Sequence, residues 1–232
     1  NVFNLQTPDS HCPLCNHKIR AWENIPVISY VFLLRGKCSS CKAKISIRYP
    51  TVETATAILS ALVAASFGAT WLTLAVLVLV WCLIGLTLID CDHQLLPDDI
   101  TLPMLWLGLA VNAVDLGMQV SITDAVIGAI AGYLVLWSFY WLFKLLTGKE
   151  GMGYGDFKLL AALGAWMGWQ SLLPIVILSS LVGAIVGLGM ILIMGRDKSV
   201  PMPFGPYLAG AGYLMLIWGP QINDFYFSTF VS

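Results

Sequence analysis

Charge is scarce in this chain. Only 11% of its 232 residues are Asp, Glu, Lys or Arg, 58% are hydrophobic, and the mean hydropathy is +0.81. A soluble domain carries roughly 25% charged residues, so the composition excludes that class and implies a chain that crosses the bilayer several times. The net charge of −1 points to no class of partner, and the absence of a basic stripe with interleaved aromatics excludes a nucleic-acid surface. No Gly-x-Gly-x-x-Gly follows a strand. Gly151-x-Gly153-x-Gly155 has the wrong spacing for a dinucleotide fold. A cleavable signal peptide is also missing; the abrupt start, Asn1-Val2-Phe3-Asn4, reads as that of a fragment.

What charge there is lies unevenly. Residues 1–49 hold seven of the twelve Lys and Arg and four of the six Cys. This composition shift predicts a small polar module over 1–50 and a helical membrane domain over 51–232. A span needs about 20 apolar residues, and lipid offers no partner to free backbone groups, so the spans are expected to be helices. The apolar runs are Thr51–Phe67, Trp71–Ile89, Ile100–Leu116, Ala125–Phe143 and Pro203–Trp218, together with Leu159–Gly195. The last, at 37 residues, is too long for one crossing. A break at Gly168-Trp169-Gln170-Ser171 divides it into a short helix, Leu159–Met167, and a full one, Leu172–Met194. The expected fold class is therefore an all-α polytopic membrane protein with about seven membrane helices, one of them short.

In this trace all twelve Lys and Arg fall on one side or at its helix ends. The positive-inside rule makes that side cytoplasmic. Reading Leu159–Gly195 as a single crossing would put Arg196 and Lys198 outside, which favours the hairpin. Gly128-x-x-x-Gly132 and Gly183-x-x-x-Gly187 allow close helix approach, and packing within one chain is the expected use. The nine Trp read as interfacial anchors and packing groups.

Cys12-Pro13-Leu14-Cys15 and Cys38-Ser39-Ser40-Cys41 form two C-x-x-C knuckles with 22 residues between them. Four thiolates suit tetrahedral zinc, and a site closed by four protein ligands is structural. The gap slightly exceeds the usual ribbon spacing, which a loop absorbs. Two disulfides, disfavoured in a cytoplasmic module, or four free thiols are the competing readings. His11 and His17 flank the first knuckle and read as bystanders. Cys82 reads as a small apolar packing residue within a span. Cys91 adjoins an aspartate, but no His–Cys arrangement marks it as a nucleophile.

Two aspartates stand out. Asp90 ends the nineteen-residue uncharged run Trp71–Ile89, and Asp156, in Gly153-Tyr154-Gly155-Asp156-Phe157-Lys158, precedes the run Leu159–Gly195. Ionisable residues at a hydrocarbon boundary are costly and read as functional. Two facing carboxylates cannot both ionise easily. One keeps a proton and acts as an acid while the other acts as a base on water, which suits peptide hydrolysis without metal or covalent intermediate. Glycines before Asp156 let the backbone bend into the site.

Several motifs occur in order along the chain: Pro8-x-Ser10-x-Cys12-Pro13-x-Cys15, Trp22-Glu23-Asn24-Ile25-Pro26, Arg48-Tyr49-Pro50, the Asp90 segment through Asp99, Gly153–Lys158 and Pro203-Phe204-Gly205-Pro206-Tyr207. Together they make the chain resemble the bacterial type IV prepilin peptidases, also called type II secretion prepilin leader peptidases. In that family the catalytic aspartates match Asp90 and Asp156. The resemblance implies removal of a short basic leader from type IV prepilins or type II secretion pseudopilins after a glycine. It also implies N-methylation of the new N-terminus, usually phenylalanine, with S-adenosylmethionine as donor. Location in the bacterial inner membrane follows, with the zinc module and active site on the cytoplasmic side. The family normally starts with a further membrane helix before the cysteines. Its absence here makes the chain resemble a truncated or processed form.

Neighbouring groups compete for roles. Asp92 lies about 200° round a helix from Asp90 and cannot share its face. Asp98 and Asp99 suit a helix N-terminus, with Asp98 a candidate for binding the basic leader. His93 reads as a solvated loop residue. Lys158 is either an interfacial lysine or a group that tunes Asp156 or holds a carboxylate or phosphate. Glu53 either pairs with Arg48 or contacts substrate. No residue chemistry marks the S-adenosylmethionine site; the cysteine module and the cytoplasmic loops are the polar candidates. Two rival functions remain: a proton or cation transporter, in which carboxylates would sit nearer mid-membrane, and a non-enzymatic zinc-module assembly factor, which leaves both aspartates idle. The sequence does not define an oligomeric state.

The charge asymmetry yields a topology test. In a cysteine-free background, single cysteines at Ser121 and Ser228 should react with a membrane-impermeant thiol reagent in intact cells, and one at Lys149 should not. Labelling at Lys149 alone would reverse the orientation.

Overall fold

The computed structural model describes residues 11–148, 152–194 and 202–230. Pro8 and Ser10 of the first motif, Gly151, and the basic residues Lys149, Arg196 and Lys198 lie outside them. The described residues are helical, with isolated β-bridges but no strand. Seven α-helices follow in order: α1 Arg48–Phe67, α2 Trp71–His93, α3 Asp98–Ala113, α4 Ile122–Thr147, α5 Tyr154–Met167, α6 Leu172–Met194 and α7 Gly205–Phe230. The chain divides into two compact units, Asn1–Ala61 and Leu62–Ser232, with the division inside α1.

Among the described residues, four helical segments are long and apolar enough to cross a membrane: α1, α2, α4 and Trp169–Ile193, which carries most of α6. α3 and α5 have only 16 and 14 residues. At 1.5 Å per residue they reach about 24 and about 21 Å, short of a hydrocarbon core of about 30 Å. The expected all-helical class is present, but against about seven expected membrane helices only four segments among the described residues have the length and hydropathy of a span.

The helix limits follow local chemistry. Thr70 and Ser121 cap α2 and α4, their hydroxyls accepting the N–H groups of Thr73 at 3.2 Å and Asp124 at 3.0 Å. α2 ends at Gln94, whose left-handed backbone (φ 53°) turns its N–H onto the Asp90 carbonyl at 2.9 Å. Between α5 and α6 the chain breaks at Gly168, with φ +76°. A 3-10 turn, Trp169–Ser171, follows, so the break expected inside Leu159–Gly195 is present. α7 kinks at Trp218, two residues before Pro220. Proline lacks the N–H and its ring crowds the carbonyl four residues back.

The second unit is organised around α5. Every residue from Leu159 to Met167 is buried, as are Asp156 and Phe157. A helix that is apolar all round has no solvent or lipid face to present and belongs in a core. α3, α4 and α7 pack against it. α4 comes closest. A Cβ on Gly128 would strike the Gly164 carbonyl, and one on Gly132 would lie 2.7 Å from the Leu160 carbonyl oxygen. The Gly128-x-x-x-Gly132 pair therefore packs helices within the chain. From α3, Asn112 donates to the carbonyls of Ala165 at 2.9 Å and Trp166 at 3.1 Å, satisfying groups that the end of a buried helix would leave unpaired. The Trp166 indole N–H reaches back to the Met104 carbonyl at 2.9 Å.

Gly128→Ala should destabilise the protein by at least about 2 kcal/mol through overpacking against backbone. Gly85→Ala, where a Cβ meets nothing within 4 Å, should be neutral or stabilising by up to about 1 kcal/mol. Thermal melting in detergent compares them.

Candidate functional site

A cavity of about 630 Å³ opens in the second unit where the ends of four helices meet. Asp90 and Asp156 both line it, with Gln94, Leu96, Asp98, Tyr154, Lys158 and Phe204. Asp90 enters from the last turn of α2 and Asp156 from the first turn of α5. Their exposures are 5% and 6%, so both carboxylates are withdrawn from bulk water. Their neighbours Cys91 and Asp92 are exposed on α2. The helix continues through His93, and its rotation of about 100° per residue turns Asp92 away.

Each carboxylate is held differently. Asp156 sits at the start of its own helix, where the partial positive charge of the N-terminus favours an anion. Rings fix that turn: Phe157 meets Tyr133, Tyr140 and Tyr154 at centroid separations of 5.8, 5.7 and 5.4 Å. Asp90 is at the wrong end of α2 for an anion. Its Oδ2 accepts the backbone N–H of Gly205, the first residue of α7, at 2.9 Å. Gly155 lets α5 approach the loop after α2, since a Cβ there would lie 2.7 Å from the Leu96 Cβ.

Lys158 and Asp98 meet across the cavity wall. The lysine Nζ donates to both carboxylate oxygens of Asp98, at 2.6 and 2.7 Å. Both side chains are partly exposed, so the pair contributes at most about 1 kcal/mol to stability. Its consequence is geometric: the first turn of α3 is tied to the second turn of α5. Asp98 and Asp99 do begin α3, with Pro97 before them. Four candidate residues, Asp90, Asp98, Asp156 and Lys158, thus share one cavity. Gly205 was not singled out for a role from sequence, although the Pro203–Tyr207 motif that contains it was. Gln94 and Leu96 were not singled out either; they sit in the Asp90 segment, but nothing in their residue type marks a site.

Glu53 belongs to the first unit. Its Oε2 accepts the Val27 backbone N–H at 2.7 Å. Val27 has φ +59°, a left-handed conformation that β-branched residues avoid, so the bond holds a strained turn. Glu53 also lines a cavity of about 700 Å³ in that unit, with His17, Glu23 and Tyr30.

The same unit carries the cysteines, built as one short motif used twice. Shifting by 26 residues superposes Cys12, Cys15, Asn16 and His17 on Cys38, Cys41, Lys42 and Ala43. In each copy the first cysteine's N–H bonds the carbonyl five residues on, Cys12 to His17 at 2.9 Å and Cys38 to Ala43 at 2.8 Å. In each, the residue after the second cysteine is left-handed, Asn16 at φ 54° and Lys42 at φ 59°. Backbone N–H groups therefore point at the sulfurs. The amide of Leu14, then that of Cys15, draws the Cys12 thiol down to about 6. The amides of Cys41 and Ser40 lower Cys38 likewise.

The four sulfurs lie within 4.8 Å of one another, with Cys12–Cys41 at 3.8 Å and Cys15–Cys38 at 3.9 Å. A ZnS₄ tetrahedron with bonds of about 2.3 Å has edges of about 3.8 Å. The donor set and spacing fit a closed metal site. His17 turns its Nε2 toward Glu23 Oε2 at 3.6 Å. The backbone N–H of Arg20 and then the Ser39 side chain hold the Glu23 carboxyl below its usual range.

These features define a class: a multi-pass helical membrane protein with a buried carboxylate pair in one unit and a tetracysteine metal-type site in the other. The chain belongs to the type IV leader peptidase family. The pattern described as the Type IV leader peptidase family matches residues 77–188, and that of the Bacterial Peptidase A24 N-terminal domain matches residues 1–67. Proteins named prepilin leader peptidase/N-methyltransferase are similar to it along nearly its whole length. That of Aeromonas hydrophila is 59% identical over 229 residues, covering 99% of this chain and 78% of its own. That of Pseudomonas aeruginosa is 59% identical, covering 97% and 77%. That of Neisseria gonorrhoeae is 52% identical, covering 92% and 72%. No solved structure matches the chain significantly.

Purified without chelator, the protein should carry one equivalent of zinc by elemental analysis. Cys38→Ser should release it and loosen residues 11–48 to proteolysis, because small metal modules draw much of their folding energy from the ion. Zinc-free wild-type protein would refute the assignment.

Proposed function

We propose that the protein is a membrane aspartic endopeptidase that removes the short basic leader of type IV prepilins or type II secretion pseudopilins after a glycine, and that it also N-methylates the new N-terminus from S-adenosylmethionine. The observation that carries the peptidase reading is the convergence of Asp90 and Asp156, both buried, on one cavity. It is supported by membership in the leader peptidase family and by relatives whose names state both activities.

The reaction follows from what two adjacent carboxyls can do. One, ionised, takes a proton from water as the oxygen attacks the scissile carbonyl. The other, protonated, supplies a proton to the carbonyl oxygen. The proton taken from water then passes to the leaving nitrogen as the C–N bond breaks, one hydroxyl of the diol gives its proton back to the other carboxylate, and the pair again holds one proton. In this reading the extended peptide enters at the cavity mouth, where a basic leader residue competes with Lys158 for the Asp98 carboxylate. Zinc, held by Cys12, Cys15, Cys38 and Cys41, is structural in this reading. It ties the two knuckles together and takes no part in hydrolysis. Methyl transfer is assigned to the polar module or the cytoplasmic loops; the cavity of about 700 Å³ in the first unit is large enough for a donor of that size.

The same reading puts the protein in the bacterial inner membrane, with a cytoplasmic zinc module over 1–50 and about seven membrane helices over 51–232, α5 being the short one. A transporter is disfavoured because both carboxylates stand at helix ends. An assembly factor would have no use for two buried acids in one cavity.

Asp90→Asn and Asp156→Asn should each lower cleavage of a prepilin by 10²–10⁴-fold or more, the range typical of lost acid–base groups. Asp92→Asn should cleave normally. Both inactive variants should stay folded, since each loses a costly buried charge, and should still methylate a pre-cleaved pilin. The wild-type pH profile should be bell-shaped with two apparent ionisations belonging to the pair. Normal processing by both Asn variants would remove the aspartic mechanism.

A further inference from the structure

The amide that reaches Asp90 is singular. α7 opens Gly205-Pro206-Tyr207, and a helix start normally offers several free N–H groups. Here Pro206 has none, and the Tyr207 and Leu208 amides bond the Phe204 carbonyl at 3.1 and 3.2 Å. The Gly205 N–H donates to Asp90 Oδ2 across 115 residues of chain. The same position is sterically closed, for a Cβ on Gly205 would lie 2.7 Å from Asp90 Oδ2 and 3.1 Å from Leu96 Cδ2. Backbone conformation does not explain the glycine, because Gly205 is absent from the positive-φ residues.

We propose that Gly205 is a positioning residue of the peptidase site, required because its bare N–H orients the Asp90 carboxylate and leaves it room. The inference rests on the reading of Asp90 as a peptidase carboxylate. A Cβ at 205 forces Asp90 or Leu96 aside and turns the carboxylate away from the cavity that it shares with Asp156. Helix propensity pulls the other way, since alanine is the better helix former. Loss of activity at this site is therefore separable from loss of the fold.

The test compares Gly205→Ala with Gly210→Ala, five residues further along α7, where a Cβ meets nothing within 4 Å. Purified full-length variants in detergent are assayed for prepilin cleavage, thermal melting and methylation of a pre-cleaved pilin, beside Asp90→Asn. Gly205→Ala should lose about 10²-fold in kcat, the cost of a catalytic group displaced by an ångström. Its KM should stay within about twofold, with melting and methylation unchanged. Gly210→Ala should match the wild type. Normal kcat in Gly205→Ala overturns the inference, as does a rise in KM alone or a loss of melting and methylation together with cleavage. Full activity of Asp90→Asn would instead remove the peptidase reading beneath it, so the two failures are distinguishable.

Discussion

An anion buried among hydrocarbon needs a dipole or a proton beside it, and the second unit is arranged around that need. Two carboxylates enter one cavity from opposite helix ends. Asp156 has the start of its own helix beneath it. Asp90, at the unfavourable end of α2, borrows the start of α7 through one backbone amide. Bringing those three ends together requires α5 to sit among α3, α4 and α7, buried from Leu159 to Met167. That in turn requires the bare backbone contacts at Gly128, Gly132 and Gly164. The glycine stripe, the enclosed helix and the carboxylate pair are successive consequences of one electrostatic constraint.

The first unit solves a different problem, how to hold a fold with little core. Most of its large apolar side chains are exposed, including Leu14, Trp22 and Phe32. Two copies of one turn aim backbone amides at sulfur and bring four thiols within bonding range of a single ion. Glu53 uses the same economy, one carboxylate stabilising an otherwise unfavourable backbone at Val27.

Much of this was legible before any coordinates. Charge-free runs predicted the helices, and Gly168-Trp169-Gln170-Ser171 predicted the break, because apolar length and glycine are local signals. The knuckle spacing predicted the thiol cluster, since C-x-x-C is a local turn. The separation of Asp92 from Asp90 followed from helical rotation alone. Contacts between distant segments were not legible. Lys158 reads equally well as an interfacial lysine or a partner, and only the packing of α3 on α5 brings it to Asp98. Gly205 carries no chemistry in its side chain, so its amide on Asp90 has no compositional trace. Glu53 was weighed against Arg48, its neighbour in sequence, whereas the bond at Val27 comes from 26 residues earlier.

The last contact also orders events in time. Asp90 is made early and Gly205 is made 115 residues later, at the start of α7. During synthesis α2 is made without that amide, and α5, which packs against the earlier α3 and α4, lacks its α7 neighbour until α7 arrives. The cavity is thus completed by α7. A ribosome-bound chain stopped before that point holds both aspartates but not the amide that Asp90 accepts, so the cavity is assembled only after the chain has been made through α7.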